Sequence, residues 1–450
     1  MATRSPSTRR IPPWVAWLVA QGVLNSVFCR LTVFGAIFIL FLDDLGISKS
    51  RTGVLLSLIP FSHLLGLVVG PLVARIGFKR AYLIGFGARK IPAALIMLTP
   101  VVIARYGDSA AFAWVAGNIL VFAAARAFGE MGMYPWFQEV IPNAVRGRIG
   151  GVTGTFGTIA GLIASGIAGP IINEGVGLGR YLGAMGVGVV LGLISVACLL
   201  FIPGGAPVAR QADAPAHPEA MLEALRDRNY RRFLIGLSLV NFSIGALLTF
   251  SPLYMREMVG LPPGSIVMLE VAGSVGGLIA GYPSGRAADR RGSRPVVVAS
   301  VGLLALLPVF WAVVPRHSPH SLVAAMALSL AIGIAYTAWL LASDRYLNVN
   351  AVPPDRRTPY VGVFYPVAGL SAAFGPLVAG RLIDAFAWLR GDASAPWLNP
   401  FTPLFVLTLV LLLVALRVCA GLRNEEAMPV GRRLAVEPEP AEEGLPHVRA

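Results

Sequence analysis

Charge is what this sequence has least of. Only 13% of its 450 residues are charged and 56% are hydrophobic, whereas a soluble domain carries about 25% charged residues. Such a chain has too few polar side chains to cover a water-facing surface, so much of its surface faces lipid. Lysine is nearly absent, confined to Lys49, Lys79 and Lys90. The net charge of +14 lies scattered between hydrophobic runs. A nucleic-acid binder would gather it into one basic patch, so that class is excluded. Cysteine is scarce as well. Cys29, Cys198 and Cys419 sit in apolar stretches without C-x-x-C or metal-type spacing, which argues against a disulfide framework or a zinc site. No G-x-x-x-x-G-K-[ST], H-E-x-x-H or G-x-S-x-G stretch stands out. ATP drive within the chain and enzymatic chemistry therefore lack sequence support, and no cofactor or metal is expected.

What the sequence does have is long hydrophobic runs. A spanning helix needs about 20 mainly apolar residues, and that ruler marks segments near 14–42, 52–74, 81–104, 110–138, 149–173 and 181–203. A polar break over 204–232 precedes six more, near 233–255, 263–285, 294–315, 320–343, 359–384 and 399–420. The first run follows Arg4, Arg9 and Arg10 and is too long for a signal-peptide core, so it reads as an uncleaved first helix. The tail beyond Gly421 is charged and proline-bearing and is expected to be disordered. Lysine and arginine concentrate at the N-terminus, in alternate loops and at the C-terminus. The opposite ends hold only Lys49, Arg51, Arg105, Arg180, Arg256, Arg316, Arg381 and Arg390. By the positive-inside rule both termini are cytoplasmic.

The halves resemble each other. Gly70-Pro-Leu-Val-Ala-Arg-Ile-Gly77 closes the second segment and Gly285-Arg-Ala-Ala-Asp-Arg-Arg-Gly292 closes the eighth. Gly169-Pro170 lies late in the fifth segment and Gly375-Pro376 late in the eleventh. Internal repeats of this kind are a hallmark of transporters. The expected architecture is an all-α membrane protein of twelve transmembrane helices in two pseudo-symmetric six-helix bundles. They occupy 14–203 and 233–421, joined by a cytoplasmic loop over 204–232 and flanked by cytoplasmic segments 1–13 and 422–450.

The doubled motif resembles the signature of the major facilitator superfamily, G-x-L-a-D-R-x-G-[RK]-[RK], between helices 2 and 3 and again between 8 and 9. Gly285, Asp289, Arg290, Gly292 and Arg294 fit the second copy; Gly70, Leu72, Arg75, Gly77, Lys79 and Arg80 fit the first, where Ala74 replaces the acid. The resemblance spans roughly residues 14–421. It implies a monomeric secondary transporter that moves a small solute by alternating access, in the bacterial inner membrane. It also implies that the motif acts as a cytoplasmic latch, Glu139 pairing with Arg75 or Arg80 and Asp344 with Arg290 or Arg294. The plain alternative is that these arginines enforce topology, and Ala74 favours that alternative in the first half.

Ionisable side chains at mid-membrane are expensive and mark function by default. Gln21, Asn25 and Cys29 recur at four-residue steps, so they share one face of the first segment, with Arg30 beside it. Because segments 1, 4, 7 and 10 line the cavity in this superfamily, Arg30, Asn25 and Gln21 are expected on the transport path; an interhelical hydrogen bond is the alternative. Arg126 and Glu130 in segment 4 resemble the R-x-x-Q-G motif of proton-coupled members, although Gly129 and Glu130 replace its Gln-Gly pair. Glu130 is the first candidate proton carrier, against a self-satisfied ion pair. His63 and Glu270 are further candidates. Arg89 and Lys90 read as snorkelling toward the inner interface. Tyr336, Trp339 and Tyr365 offer aromatic surface for an organic body. The deep cations Arg30, Arg126, Arg89 and Lys90 outnumber the acids Glu130 and Glu270, favouring an organic anion. The Gly161, Gly166, Gly169-Pro170 run resembles the glycine-proline motif of antiporters and pulls instead toward drug/proton export, with close helix packing as the plain alternative; a non-transporting sensor remains the rival from another class.

Overall fold

The computed structural model describes residues 12–65, 69, 72–73, 75–206, 218–353, 357–389 and 398–423. The described residues form helices and no strand. In the first part of the chain these are α1 (Trp14–Leu31), α2 (Ala36–Asp44), α3 (Lys49–Phe61), α4 (Phe78–Ala88), α5 (Lys90–Ile96), α6 (Thr99–Val140), α7 (Asn143–Glu174) and α8 (Gly179–Leu200). A short α9 (Pro218–Arg226) leads into α10 (Arg228–Glu257), α11 (Pro263–Arg291), α12 (Ser293–Ala312), α13 (Ser321–Tyr346), α14 (Arg357–Ala385) and α15 (Thr402–Ala420). Among the described residues, 10 helical stretches are long and apolar enough to cross a membrane.

The expected segments 52–74 and 81–104 are not among them, and residues 66–68, 70–71 and 74 of the first lie outside the described residues. Pro60 lies in the last turn of α3, which gives way to a 3-10 turn over Ser62–Leu65. The helix lacks the i→i−4 donor a proline removes. The third segment steps at Arg89, between α4 and α5, and again at Met97–Leu98, and its helix then runs on through the first turns of α6. Gly107, at φ 79° and ψ 178°, then kinks the start of α6; that left-handed backbone suits glycine. The polar break contains an unexpected helix, α9, whose Met221 packs against Gly362 of α14. Asp227 caps α10 by accepting from the amides of Asn229 and Tyr230 at 2.7 and 3.1 Å, so the seventh helix begins earlier than residue 233.

Equivalent helices pack alike in the two parts of the chain. α1 packs on α7 and α8, as α10 packs on α14 and α15; α4 packs on α6, as α12 packs on α13. The two parts meet through α7 against α11 and α3 against α14, again an equivalent pair. With no hydrophobic drive between helices in lipid, close packing of small residues holds such crossings together. At the α11–α13 crossing a Cβ on Gly333 would collide with the Gly273 carbonyl, and one on Gly276 with the Leu330 carbonyl. Gly333→Val is expected to destabilise the fold by about 1–3 kcal/mol, the usual range for overpacking. A lowered melting temperature in detergent, with Gly281→Ala as the unobstructed control, measures it.

The first span is broken at its centre. Thr32 Oγ1 donates to the Phe28 carbonyl at 2.6 Å and Phe34 N bonds the Cys29 carbonyl, closing a turn between α1 and α2. A side chain at Gly35 would strike the Arg30 carbonyl. This break leaves the amide of Ala36, at the start of α2, without an intrahelical acceptor in mid-span.

Candidate functional site

The freed amide finds a carboxylate. Ala36 N donates to Glu270 Oε1 of α11 at 2.6 Å, an acid at the positive end of a half-helix. Ser165 Oγ of α7 donates to Glu270 Oε2 at 3.3 Å. Arg30 completes the cluster, with Nη1 3.5 Å from Glu270 Oε2 and Nη2 donating to Ser274 Oγ at 2.7 Å. Gly161 leaves room for the Arg30 stem, its Cβ position being 3.1 Å from Arg30 Cγ. Three elements of the first half thus converge on one acid of the second.

This cluster borders a cavity of about 520 Å³. Its walls come from both halves: Arg30, Phe34, Ile39 and Thr158 on one side, and Leu248, Ser251, Met255, Glu270, Ile332 and Tyr336 among those on the other. The end of the molecule farther from the chain termini, here the distal end, is tied across the halves. Arg256 of α10 pairs with Asp43 at 3.0 Å and with Asp44. Lys49 pairs with Glu257 at 2.8 Å, and Ser50 N donates to Asp384 at 2.7 Å. Arg180 holds Asp44 from its own half at 2.6 Å. Beside them Gly264 N donates to Asn173 Oδ1 at 2.7 Å, and a Cβ on Gly264 would collide with the Gly169 carbonyl. Gly169 therefore serves close packing between halves.

Several expected site residues lie elsewhere. Asn25 and Gln21 turn away from the cavity: Gln21 Nε2 donates to Tyr82 OH at 3.4 Å, and Asn25 Oδ1 accepts from Arg89 Nη2 at 2.5 Å and Lys90 Nζ at 3.0 Å. The interhelical alternative holds for both. Arg89 and Lys90 do not snorkel, being 2% and 0% exposed. Lys90 Nζ sits 3.3 Å from the Phe28 ring centre and the Arg89 guanidinium 3.8 Å from that of Phe86, where aromatic faces attract the cations. Asn25→Ala removes the acceptor these two cations share. It is expected to lower thermal stability by about 1–3 kcal/mol, the penalty for stranding buried donors, while leaving solute affinity unchanged. A ligand titration beside a melting curve separates the two effects.

Arg126 Nε and Glu130 Oε1 pair at 2.6 Å within α6. The Arg126 guanidinium lies 5.1 Å from the ring centre of Phe34. Phe34 lines the cavity, whereas neither Arg126 nor Glu130 is among its lining residues. His63 Nδ1 bonds the Pro60 carbonyl at 2.8 Å, and its Cβ packs against Gly369 of α14, the packing role. Tyr336 lines the cavity; Trp339 is 1% exposed in the core, and Tyr365 is exposed, edge-on to Phe364.

The motif pairings also need correction. Gly70 and Ala74 lie outside the described residues. Glu139 pairs with neither Arg75 nor Arg80; it accepts from Gly205 N at 3.1 Å, while Lys79 bonds the Leu200 and Ile202 carbonyls. In the second copy Asp289 pairs with Arg345 at 3.2 Å, and Arg345 also donates to Ser293 at 2.7 Å. Arg294 donates to the Ala420 carbonyl at 2.6 Å. Neither Asp344 nor Arg290 has an ion pair among the described residues. These contacts stay within one half, because the charges find partners on their own side of the bundle. Gly77 and Gly292, at φ 96° and 85°, supply the turns the motif needs, whereas Gly285 is helical with open space around it.

The sequence reading missed the distal cluster, although a signal was present. Asp43-Asp44 end the first segment and Arg256-Glu257 the seventh, equivalent ends carrying opposite leading charge. Ser165 and Ser274 carried no signal at all.

A shared cavity between two like-packed halves defines a polytopic transport-type membrane protein. The chain belongs to the Major Facilitator Superfamily, whose profile matches residues 22–342 and 259–443, the family expected from the doubled motif. A mutant of the nucleoside transporter NupG is similar, with a TM-score of 0.71 and 14% identity over 90% of this chain and 98% of that one. The D-xylose-proton symporter gives 0.68 and 13% over 92% and 99%. A bacterial homologue of the human lysosomal transporter Spinster, inward-facing and unoccupied, gives 0.64 and 16% over 91% and 97%. At such identities the likeness is one of fold. No curated protein matches the chain by sequence.

Proposed function

We propose that the protein is a secondary active transporter that moves a small organic solute by alternating access, with a proton carried on Glu130. In this reading two six-helix bundles, 14–203 and 233–421, rock about the central cavity, and both termini are cytoplasmic. The observation that carries it is the cavity built from both halves, bridged by Arg30–Glu270 and tied shut at the distal end. In this reading a solute held there leaves on the opposite side until the distal ties exchange. Family membership supports transport, and Glu130, paired with Arg126 whose guanidinium packs on the cavity-wall ring of Phe34, is the acid this reading assigns to the proton.

The charge count that favoured an organic anion loses its support. Arg30 and Arg126 each face an acid, and Arg89 and Lys90 lie on Asn25, away from the cavity.

Proteoliposomes loaded with a pH-sensitive dye test the reading. A transported solute is expected to move protons with it, and a pH gradient to drive its accumulation. Glu130→Gln is expected to abolish gradient-driven accumulation while sparing exchange of solute for solute. Specific binding without flux of any solute tested would instead mark the chain as a sensor.

A further inference from the structure

We infer that the solute is a zwitterion, with one carboxylate and one ammonium group on an apolar body, held between Arg30 and Glu270. This rests on the transport reading above and goes beyond it by naming the substrate class.

Among the described residues that line it, the cavity offers one cation and one anion, side by side. Arg30 and Glu270 keep 34% and 19% of their side-chain surface exposed, and their nearest charged atoms are 3.5 Å apart, a loose pair. Glu270 is held by three donors of the first half, Ala36 N, Ser165 Oγ and Arg30. Those donors form a ready-made carboxylate site that an acid of the second half now fills. A solute carboxylate that displaced Glu270 toward the cavity would inherit Arg30 and the positive end of α2. The released Glu270 carboxylate would then meet the solute's ammonium. Both charged groups of the protein stay paired throughout, which matters in a largely apolar chamber because an unpaired buried charge is costly.

Other solute classes fit less well. A simple anion that took Arg30 would leave Glu270 beside it as a like charge, and a simple cation on Glu270 would crowd Arg30 in the same way. A polyol would leave the Arg30–Glu270 pair without a charged partner; of the wall hydroxyls, Thr158, Ser251 and Ser274 donate to carbonyls of their own helices, and those of Ser329, Tyr336 and Thr337 are left to serve a polar group on the solute body. The remaining wall suits an apolar side chain: Phe34, Ile39, Leu248, Met255, Leu269 and Ile332.

The test uses the purified, reconstituted protein. Zwitterionic probes are L-leucine, L-phenylalanine, glycine betaine and alanyl-leucine; the matched controls are leucinamide, N-acetyl-leucine and xylitol. Thermal stabilisation measures binding and counterflow measures transport. At least one zwitterion is expected to bind at least about tenfold more tightly than the controls that lack one charge, as a site built around polar partners rejects analogues missing them. Arg30→Gln is expected to erase the preference for leucine over leucinamide. Glu270→Gln is expected to erase that over N-acetyl-leucine. A melting curve without ligand shows that each variant is folded. Equal binding of zwitterions and controls, binding of a control alone, or no binding by any zwitterion overturns the inference. Proton-linked flux of a non-zwitterion would overturn it while leaving the transport reading intact. Charge-selective zwitterion binding without counterflow would do the reverse.

Discussion

Uptake by Glu270→Gln is expected to fall at least about tenfold, with Arg30→Ala giving a loss of the same order. Glu270 is the single group on which α1, α2 and α7 converge from the other half. Glutamine keeps the shape and can still accept from Ala36 N, but it removes the charge that balances Arg30. Hydrogen bonds to charged groups contribute about 1.5–3 kcal/mol, and 1.36 kcal/mol is already tenfold in rate. The partial exposure of Arg30 draws the expected value toward the lower end, because solvent screens it. Both single variants are also expected to melt below the parent. The double variant Arg30→Gln with Glu270→Gln should recover stability, since no orphan charge remains, but it should not recover uptake. Initial rates beside melting curves read both quantities. Parent-like uptake in either single variant would remove the pair from the transport path.

Arg256→Glu is expected to shift the resting population toward a form open at the distal end. Arg256 faces Asp43 and Asp44 and adjoins Glu257, so the reversal sets an acid among three others. Each partly exposed pair contributes only about 0–1 kcal/mol. Loss of two pairs plus new repulsion amounts to roughly 1.5 kcal/mol, about a tenfold change in a two-state ratio. The measurement is labelling of Ser251→Cys, a cavity-wall position, by an impermeant thiol reagent added on the distal side. Cys29, Cys198 and Cys419 are replaced beforehand. Labelling at least about fivefold faster than with Arg256 intact is expected; an unchanged rate would show that packing alone closes this end.

How far the sequence foretold this depends on the range of the interaction. Hydropathy marked most spans because burial in lipid is a property of a local window. It placed the end of 81–104 close to Gly107, where the chain re-aims, but could not show the step in the helix at Arg89. The four-residue stripe of Gln21, Asn25 and Cys29 identified a real polar face. It did not identify what the face meets, and the answer was Tyr82, Arg89 and Lys90 on the neighbouring helices of the same half. Arg126–Glu130 was legible because both partners sit on one helix. Arg30–Glu270 was not, since its partners are distant in sequence and a one-dimensional reading assigned them separate roles. Counting charges without pairing them also produced the anion preference. The Ala36 amide was invisible for another reason: it becomes a donor only because α1 breaks after Leu31, and backbone groups leave no mark in composition.

The distal ties combine two kinds of contact with different responses to the surrounding medium. Ion pairs such as Arg256–Asp43 and Lys49–Glu257 keep about a fifth to a quarter of their side chains exposed. Dissolved ions therefore reach them, at a screening length of about 8 Å in 0.15 M salt and about 3 Å in 1 M. The Gly169–Gly264 crossing is backbone against backbone and is indifferent to salt. The salinity bathing the distal end thus becomes a setting of the machine. Concentrated salt is expected to loosen the electrostatic share of these ties and to leave the steric share in place, a difference that labelling of Ser251→Cys in dilute and in concentrated salt would read.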